Sequence, residues 1–173
     1  MYQNILTLGL IFLASVTKIS LAPALFPAHV VPDVLLILVI IWSARKTFES
    51  FWPWALASGI ILDFVSLERI GVNTISFLII SFLVDFLSRR FFINQRKSMF
   101  FWVAALVFLG IITNYLLLSG MYFFIGNLNP GVFNLRSMLF ELLNDMLVFA
   151  FIFWPVNSSK IIFPIEESRL VIR

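Results

Sequence analysis

The most informative part of the chain reads Val31-Pro32-Asp33-Val34-Leu35-Leu36-Ile37-Leu38-Val39-Ile40-Ile41-Trp42. Its Pro-Asp pair is a typical helix start, because an acidic residue in the first turn meets unpaired N–H groups and the positive end of the helix dipole. The residues from Val34 to Trp42 are all apolar. An uninterrupted apolar helix suits the hydrocarbon core of a bilayer. The stretch therefore predicts a membrane-spanning helix with Asp33 near its start.

The composition of the whole chain agrees with a membrane setting. Of its 173 residues, 61% are hydrophobic and 12% are charged, and the mean hydropathy is +1.04. A soluble domain is about half apolar and about a quarter charged. A globule this poor in charge could not cover its surface with polar groups. A soluble enzyme and a disordered chain are therefore excluded, and an integral membrane protein is predicted.

The same composition argues against several kinds of site. The net charge of +3 is too small for a nucleic-acid-binding protein. With no Cys and one His, the chain lacks a disulfide framework, a thiolate metal site and a His cluster. No Gly-x-Ser-x-Gly elbow, His-Glu-x-x-His pair or phosphate-binding loop occurs. We therefore expect no enzymatic activity, no cofactor and no metal ion.

Hydropathy predicts six membrane-spanning helices in a single domain, residues 1–173, since a span needs roughly 17–25 mostly apolar residues. The predicted helices are 2–21, 29–44, 51–65, 71–87, 99–125 and 138–156. The first is expected to be retained rather than cleaved as a leader, because no Lys or Arg precedes Lys18. The fold class is thus an all-α membrane protein.

The predicted helices differ in length. The second, third and fourth are short, because a helix of about 16 residues reaches only about 24 Å against a hydrocarbon core of about 30 Å. Interfacial turns or a thinner bilayer would compensate for the difference. The fifth is long enough to tilt or to break, and Gly120 is the natural place for a break.

The distribution of basic residues predicts the orientation. Nine of the 12 Lys and Arg residues follow even-numbered helices, among them Arg45, Arg89 and Arg173. Loops rich in Lys and Arg stay in the cytoplasm. Both termini are therefore predicted to be cytoplasmic, with the tail 157–173 lying along the membrane surface or docking on a partner.

Carboxylates inside the predicted helices are the first candidates for function, because each costs about 2.5–3.5 kcal/mol to insert. Asp63 lies near the outer end of the third helix, where it is either an interfacial charge close to Arg69 or a group that faces a partner or ligand. Asp85 precedes Arg89 by four residues, so the two are predicted to form an i,i+4 pair on one helix face.

Glu141 and Asp145 are also four residues apart and share a face of the sixth helix. Like charges at this spacing repel each other, so the pair must face the bundle interior, a cavity or another protein. Arg136 is placed to reach back to Glu141. A buried structural pair, a partner contact, and a ligand or proton site all remain open for these two residues.

Several motifs in order resemble those of the rod shape-determining MreD family of bacteria. The Pro-Asp helix quoted above is followed by Gly59-Ile60-Ile61-Leu62-Asp63-Phe64-Val65-Ser66, by Gly71-Val72-Asn73-Thr74, and by a helix that closes from Asp85 to Arg90. The resemblance implies a non-enzymatic component of the bacterial inner membrane. It would belong to the elongasome, the complex that builds the lateral peptidoglycan wall.

The resemblance also implies partners. MreD-like proteins associate with MreC, a single-span periplasmic coiled-coil protein, and through it with actin-like MreB, the glycosyltransferase RodA and its transpeptidase. With the MreC-like protein as partner, a lateral groove beside the short helices is the expected contact. Asp33 and Asp63, at the outer ends of short helices, are expected to meet a basic residue of the partner there.

The family's small helical fold is similar to that of the S components of energy-coupling-factor transporters. This similarity supplies an alternative function, a substrate-binding membrane subunit of a vitamin-type transporter. Such a subunit requires a polar cavity open to the outside, and the candidates to line it are Asp63, Glu141, Asp145 and the Asn residues of the outer loops.

Overall fold

The computed structural model describes residues 2–21, 32–66, 71–91, 99–124 and 135–158. Within these ranges the chain is all helical, as predicted, and it forms six α-helices. They are α1 (Tyr2–Val16, continued by a π-helical segment, Thr17–Leu21), α2 (Val34–Arg45), α3 (Phe48–Val65), α4 (Val72–Phe91), α5 (Met99–Phe124) and α6 (Leu135–Ser158).

The observed helices differ from the predicted bounds by a few residues, and two differences bear on the expectations stated above. α2 begins at Val34 rather than at 29, because Asp33 is its N-cap residue and has a non-helical backbone. α5 runs unbroken through Gly120 to Phe124, so of the two alternatives for this helix, a tilt or a break, the break does not occur. The proline-rich segment 22–31 and the tail from residue 159 onward lie outside the described residues.

The shortest helix, α2, lies at the centre of the bundle. It packs against α1, α3, α4, α5 and α6, and every side chain from Leu35 to Arg45 is buried. A helix that is apolar on all sides suits this position, because helices surround it. Its 12 residues span about 18 Å. The expected partner groove beside the short helices is therefore wrong for α2, which other helices enclose.

The remaining helices surround α2 in the order α1, α3, α4, α5, α6, each packed against the next. The contact between α5 and α2 is close at Gly110. A Cβ atom at this position would lie 2.5 Å from Ile40 Cδ1, which is closer than two carbon atoms can pack. Glycine therefore allows α5 to approach the central helix.

The outward faces of the surrounding helices carry large exposed apolar side chains. They include Leu13 on α1, Phe64 on α3, Phe82 on α4, Phe101 on α5 and Phe151 on α6. Exposed apolar surface on this scale indicates contact with lipid or protein. Within the described residues, two helices are long and apolar enough to cross a membrane, over Val72–Arg89 and Phe100–Met121.

Candidate functional site

Asp63 caps the next helix in the chain. Its side chain is fully buried, at 1% exposure, and it lies against the first turn of α4. Its Oδ2 accepts hydrogen bonds from the Gly71 N–H at 2.8 Å, the Thr74 N–H at 3.3 Å and the Thr74 hydroxyl at 2.6 Å. Its Oδ1 accepts from the Asn73 N–H at 3.0 Å. These bonds satisfy N–H groups that a helix start leaves without partners.

Gly59 brings α3 close enough for this cap. A Cβ atom at Gly59 would lie 2.3 Å from the Cα of Thr74, so only glycine allows this approach of the two backbones. Gly59 and Asp63 are one helical turn apart on the same face of α3. Gly71 has φ of 101°, a conformation that side chains other than glycine rarely adopt. The Gly-x-x-x-Asp motif therefore builds the junction of α3 and α4, called the α3–α4 corner below.

The expectations for Asp63 are corrected by this geometry. The carboxylate is directed at α4 inside the protein, so it is neither an interfacial charge nor a group that faces a partner. Arg69, the expected neighbour, lies outside the described residues.

Asp33 joins three helices at the start of α2. Its Oδ1 accepts from the Leu36 N–H at 3.0 Å, so Asp33 caps the helix start that the Pro-Asp pair indicated. Its Oδ2 forms an ion pair with the Lys18 ammonium at the end of α1. Its backbone N–H donates to Asp145 Oδ1 on α6 at 2.8 Å. Asp33 therefore pairs with a basic residue of its own chain, where a basic residue of a partner was expected. This meeting of α1, α2 and α6 at Asp33 is called the Asp33 corner below.

A cavity of about 170 Å³ lies beside the Asp33 corner, between α2, α5 and α6. Asp145, Glu141 and Asn114 are among its lining residues. Asp145 Oδ2 and Asn114 Oδ1 are buried and have no hydrogen-bond partner within the described part of the chain. Asp145 is 1% exposed, whereas Glu141 is half-buried. The sequence left three surroundings open for Glu141 and Asp145: the bundle interior, a cavity or another protein. The geometry supports the cavity.

The other acidic candidate forms a local pair. Arg89 Nε donates to Asp85 Oδ2 at 2.9 Å, which confirms the predicted i,i+4 interaction on α4. Asp85 is buried and Arg89 is exposed. Arg45, one of the basic residues used to predict orientation, is buried at the end of α2.

A known protein family matches the part of the chain that forms these helices. The model of the family described as rod shape-determining protein MreD matches residues 2–159, which include all six helices. The chain belongs to the MreD family. The resemblance inferred from the motifs is thereby confirmed, and a role in rod shape determination follows from it. No curated protein and no solved structure matches the chain.

Sequence reasoning missed two polar residues of this MreD-family chain. Lys18 lies near the end of the first apolar helix, and nothing in the spacing links it to Asp33, 15 residues away. Asn114 carried a signal that was available, because an amide inside a long apolar helix must find a polar neighbour. The side chain of Arg136, the proposed neighbour of Glu141, lies outside the described residues.

Proposed function

We propose that the chain is a non-enzymatic, multi-pass scaffold of the bacterial inner membrane that acts in the cell-elongation complex. The observation that carries the proposal is the family match over residues 2–159. The exposed apolar faces of the helices around α2 support it, because they offer a large lateral surface to lipid and to partner helices.

The proposed topology places both termini in the cytoplasm. Because the natural chain contains no Cys, single cysteines can be labelled without background by a maleimide that does not cross the membrane. Glu49→Cys and Arg89→Cys are expected to react only after the membrane is opened, and Glu68→Cys is expected to react in intact spheroplasts. Labelling of Glu49→Cys or Arg89→Cys from outside would overturn the orientation.

The proposed direct partner is an MreC-like single-span protein. The test is in-cell photo-crosslinking from one exposed position on each surrounding helix, with α2 as the buried reference. These positions are Leu13, Phe64, Phe82, Phe101 and Phe151, and the reference is Ile37. Crosslinks to the partner are expected from one helix or from adjacent helices and not from Ile37. If no exposed position captures the partner, or if Ile37 captures it equally, the lateral contact is wrong.

Through this partner the scaffold is proposed to join a RodA-type glycosyltransferase with its transpeptidase, and actin-like MreB. Expression of the chain in rod-shaped cells depleted of their own MreD, together with its cognate MreC-like partner, is expected to restore rod shape. Round cells at normal levels of both proteins would count against the proposal.

The transporter-subunit alternative is less well supported. Of its candidate lining residues, Glu141 and Asp145 line the cavity, whereas Asp63 lies in the α3–α4 corner and does not. The similarity to S components stays a prediction. Mass spectrometry of the purified protein separates the two functions, since a transporter subunit is expected to retain a vitamin-like ligand and a scaffold to retain the MreC-like protein.

A further inference from the structure

Two residues that line the cavity beside the Asp33 corner, Asp145 and Asn114, each carry a buried oxygen atom that lacks a hydrogen-bond donor among the described residues. Asp145 Oδ2 and Asn114 Oδ1 have no partner among the described residues, although their residues are 1% and 7% exposed. Leaving a buried acceptor unsatisfied is unfavourable. Both atoms belong to residues that line the same cavity, so a single ligand with several N–H groups can satisfy both.

The acidic residues at and beside the cavity offer hydrogen-bond acceptors to a cation. Asp33, Glu141 and Asp145 bring three carboxyl groups to this end of the bundle, and Lys18 is the basic side chain that the structure describes beside them. The Lys18 ammonium is bonded to Asp33. Acidic groups in an apolar surrounding attract a positive charge more strongly than they would in water.

The size and walls of the cavity limit the ligand. Its volume of about 170 Å³ is similar to that of an engineered cavity of about 150 Å³ that binds benzene. Leu36, Ile111 and Leu118 form apolar walls, and Tyr115 contributes an aromatic ring. A few polar groups within mostly apolar walls are typical of small-molecule sites. The cavity therefore suits a short organic cation.

We propose that this cavity binds a primary ammonium group, carried by a small amine or by an aminophospholipid headgroup. An ammonium offers three N–H donors, which are sufficient for Asp145 Oδ2 and Asn114 Oδ1 together. The site is independent of the scaffold function, and its failure would leave that function untouched.

The test is calorimetric titration of the purified full-length protein in detergent with ethylammonium chloride. Sodium chloride and tetramethylammonium chloride, which offer no N–H donor, serve as reference titrations. Ethylammonium is expected to bind more tightly than either reference. Asp145→Asn and Asn114→Leu are each expected to weaken binding by about tenfold or more. The control Glu49→Gln, which changes an exposed carboxylate at the start of α3, is expected to bind as the parent does.

Nanodiscs distinguish the two sources of the ammonium group. Weaker ethylammonium binding in phosphatidylethanolamine than in phosphatidylcholine would assign the lipid headgroup, and equal binding would assign a free amine. The proposal is overturned if the references bind as well as ethylammonium, or if neither cavity variant weakens binding. Circular dichroism verifies that Asp145→Asn and Asn114→Leu keep their helices. If one of them loses its helices, the binding measured with the other variant tests the proposal.

Discussion

Asp63 in the α3–α4 corner and Asp145 near the Asp33 corner are both 1% exposed, yet their surroundings differ. Both oxygen atoms of Asp63 accept hydrogen bonds, from Gly71, Asn73 and Thr74. Asp145 accepts the Asp33 N–H with one oxygen, while its other oxygen is buried and has no hydrogen-bond partner among the described residues. Asp63 and Asp145 are therefore equally buried but differ in how completely their oxygen atoms are hydrogen-bonded.

The energetics of the two corners follow from this difference. Inserting a carboxylate costs about 2.5–3.5 kcal/mol, and a hydrogen bond to a charged group contributes about 1.5–3 kcal/mol. At Asp63 several such bonds offset the cost and fix the start of α4. At Asp145 a single bond within the described residues offsets less of it. The hydrogen bonds of the α3–α4 corner therefore contribute to stability, whereas Asp145 Oδ2 contributes none among the described residues.

The largest expected effect is at Gly59. Gly59→Ala places a methyl group 2.3 Å from the Thr74 backbone, so α4 must shift and the Asp63 cap is lost. We expect a loss of stability of about 3 kcal/mol, at the upper end of overpacking effects, measured by thermal unfolding in detergent. The matched control is Gly120→Ala, where an added Cβ meets nothing within 4 Å. Equal midpoints for the two variants would show that the corner is not tightly packed.

The next effect compares the two carboxylates directly. Asp63→Ala leaves the N–H groups of Gly71, Asn73 and Thr74 without their acceptor and is expected to cost about 2–3 kcal/mol. Asp145→Leu loses one hydrogen bond but removes a buried carboxylate, so a change below about 1 kcal/mol is expected. Denaturant unfolding of both variants measures the difference.

The phenotype of Asp145→Leu sharpens the comparison further. The variant is expected to stay folded in the membrane. Rounded cells at normal protein levels would assign Asp145 a functional role, while normal rods would leave it a structural one. If Asp145→Leu instead unfolds as readily as Asp63→Ala, the contrast between the two corners is wrong.

A smaller effect is expected from Lys18→Met. The variant leaves the buried Asp33 carboxylate without its ammonium, at a cost of about 1–2 kcal/mol, because Lys18 remains partly accessible to solvent. Asp33→Asn in the same chain is expected to recover part of this loss. A double-mutant cycle measures the coupling between the two residues, and additive effects would indicate that the ion pair contributes nothing.

The smallest effect is expected from Arg89→Gln. Arg89 is exposed, and its pair with Asp85 is local, so we expect a loss of only a few tenths of a kcal/mol. Unfolding at low and high salt should agree within error. A loss above about 1 kcal/mol would show that Arg89 contributes more than an exposed, local ion pair does.

Interactions within one helix could be predicted from the sequence. The all-helical fold, the cap at Asp33 and the Asp85–Arg89 pair depend on residues at most four positions apart, where helix geometry sets the distances. The membrane setting followed from composition, and the MreD resemblance followed from the order of motifs between residues 31 and 90. These features need no knowledge of how the helices pack.

The contacts between different helices could not be predicted from the sequence, because they depend on how the helices pack. The enclosure of the shortest helix, the pairing of Lys18 with Asp33, and the bond from Asp33 to Asp145 across 112 positions arise when separate helices meet. Helix packing also decides the surroundings of Asp63. Its position near the end of a helix suggested the surface, but its hydrogen bonds to the start of α4 lie inside the protein. An apolar helix can turn any face toward its neighbours, so the periodicity of α2 carries no information on which partners it meets. Side-chain packing in three dimensions selects among them.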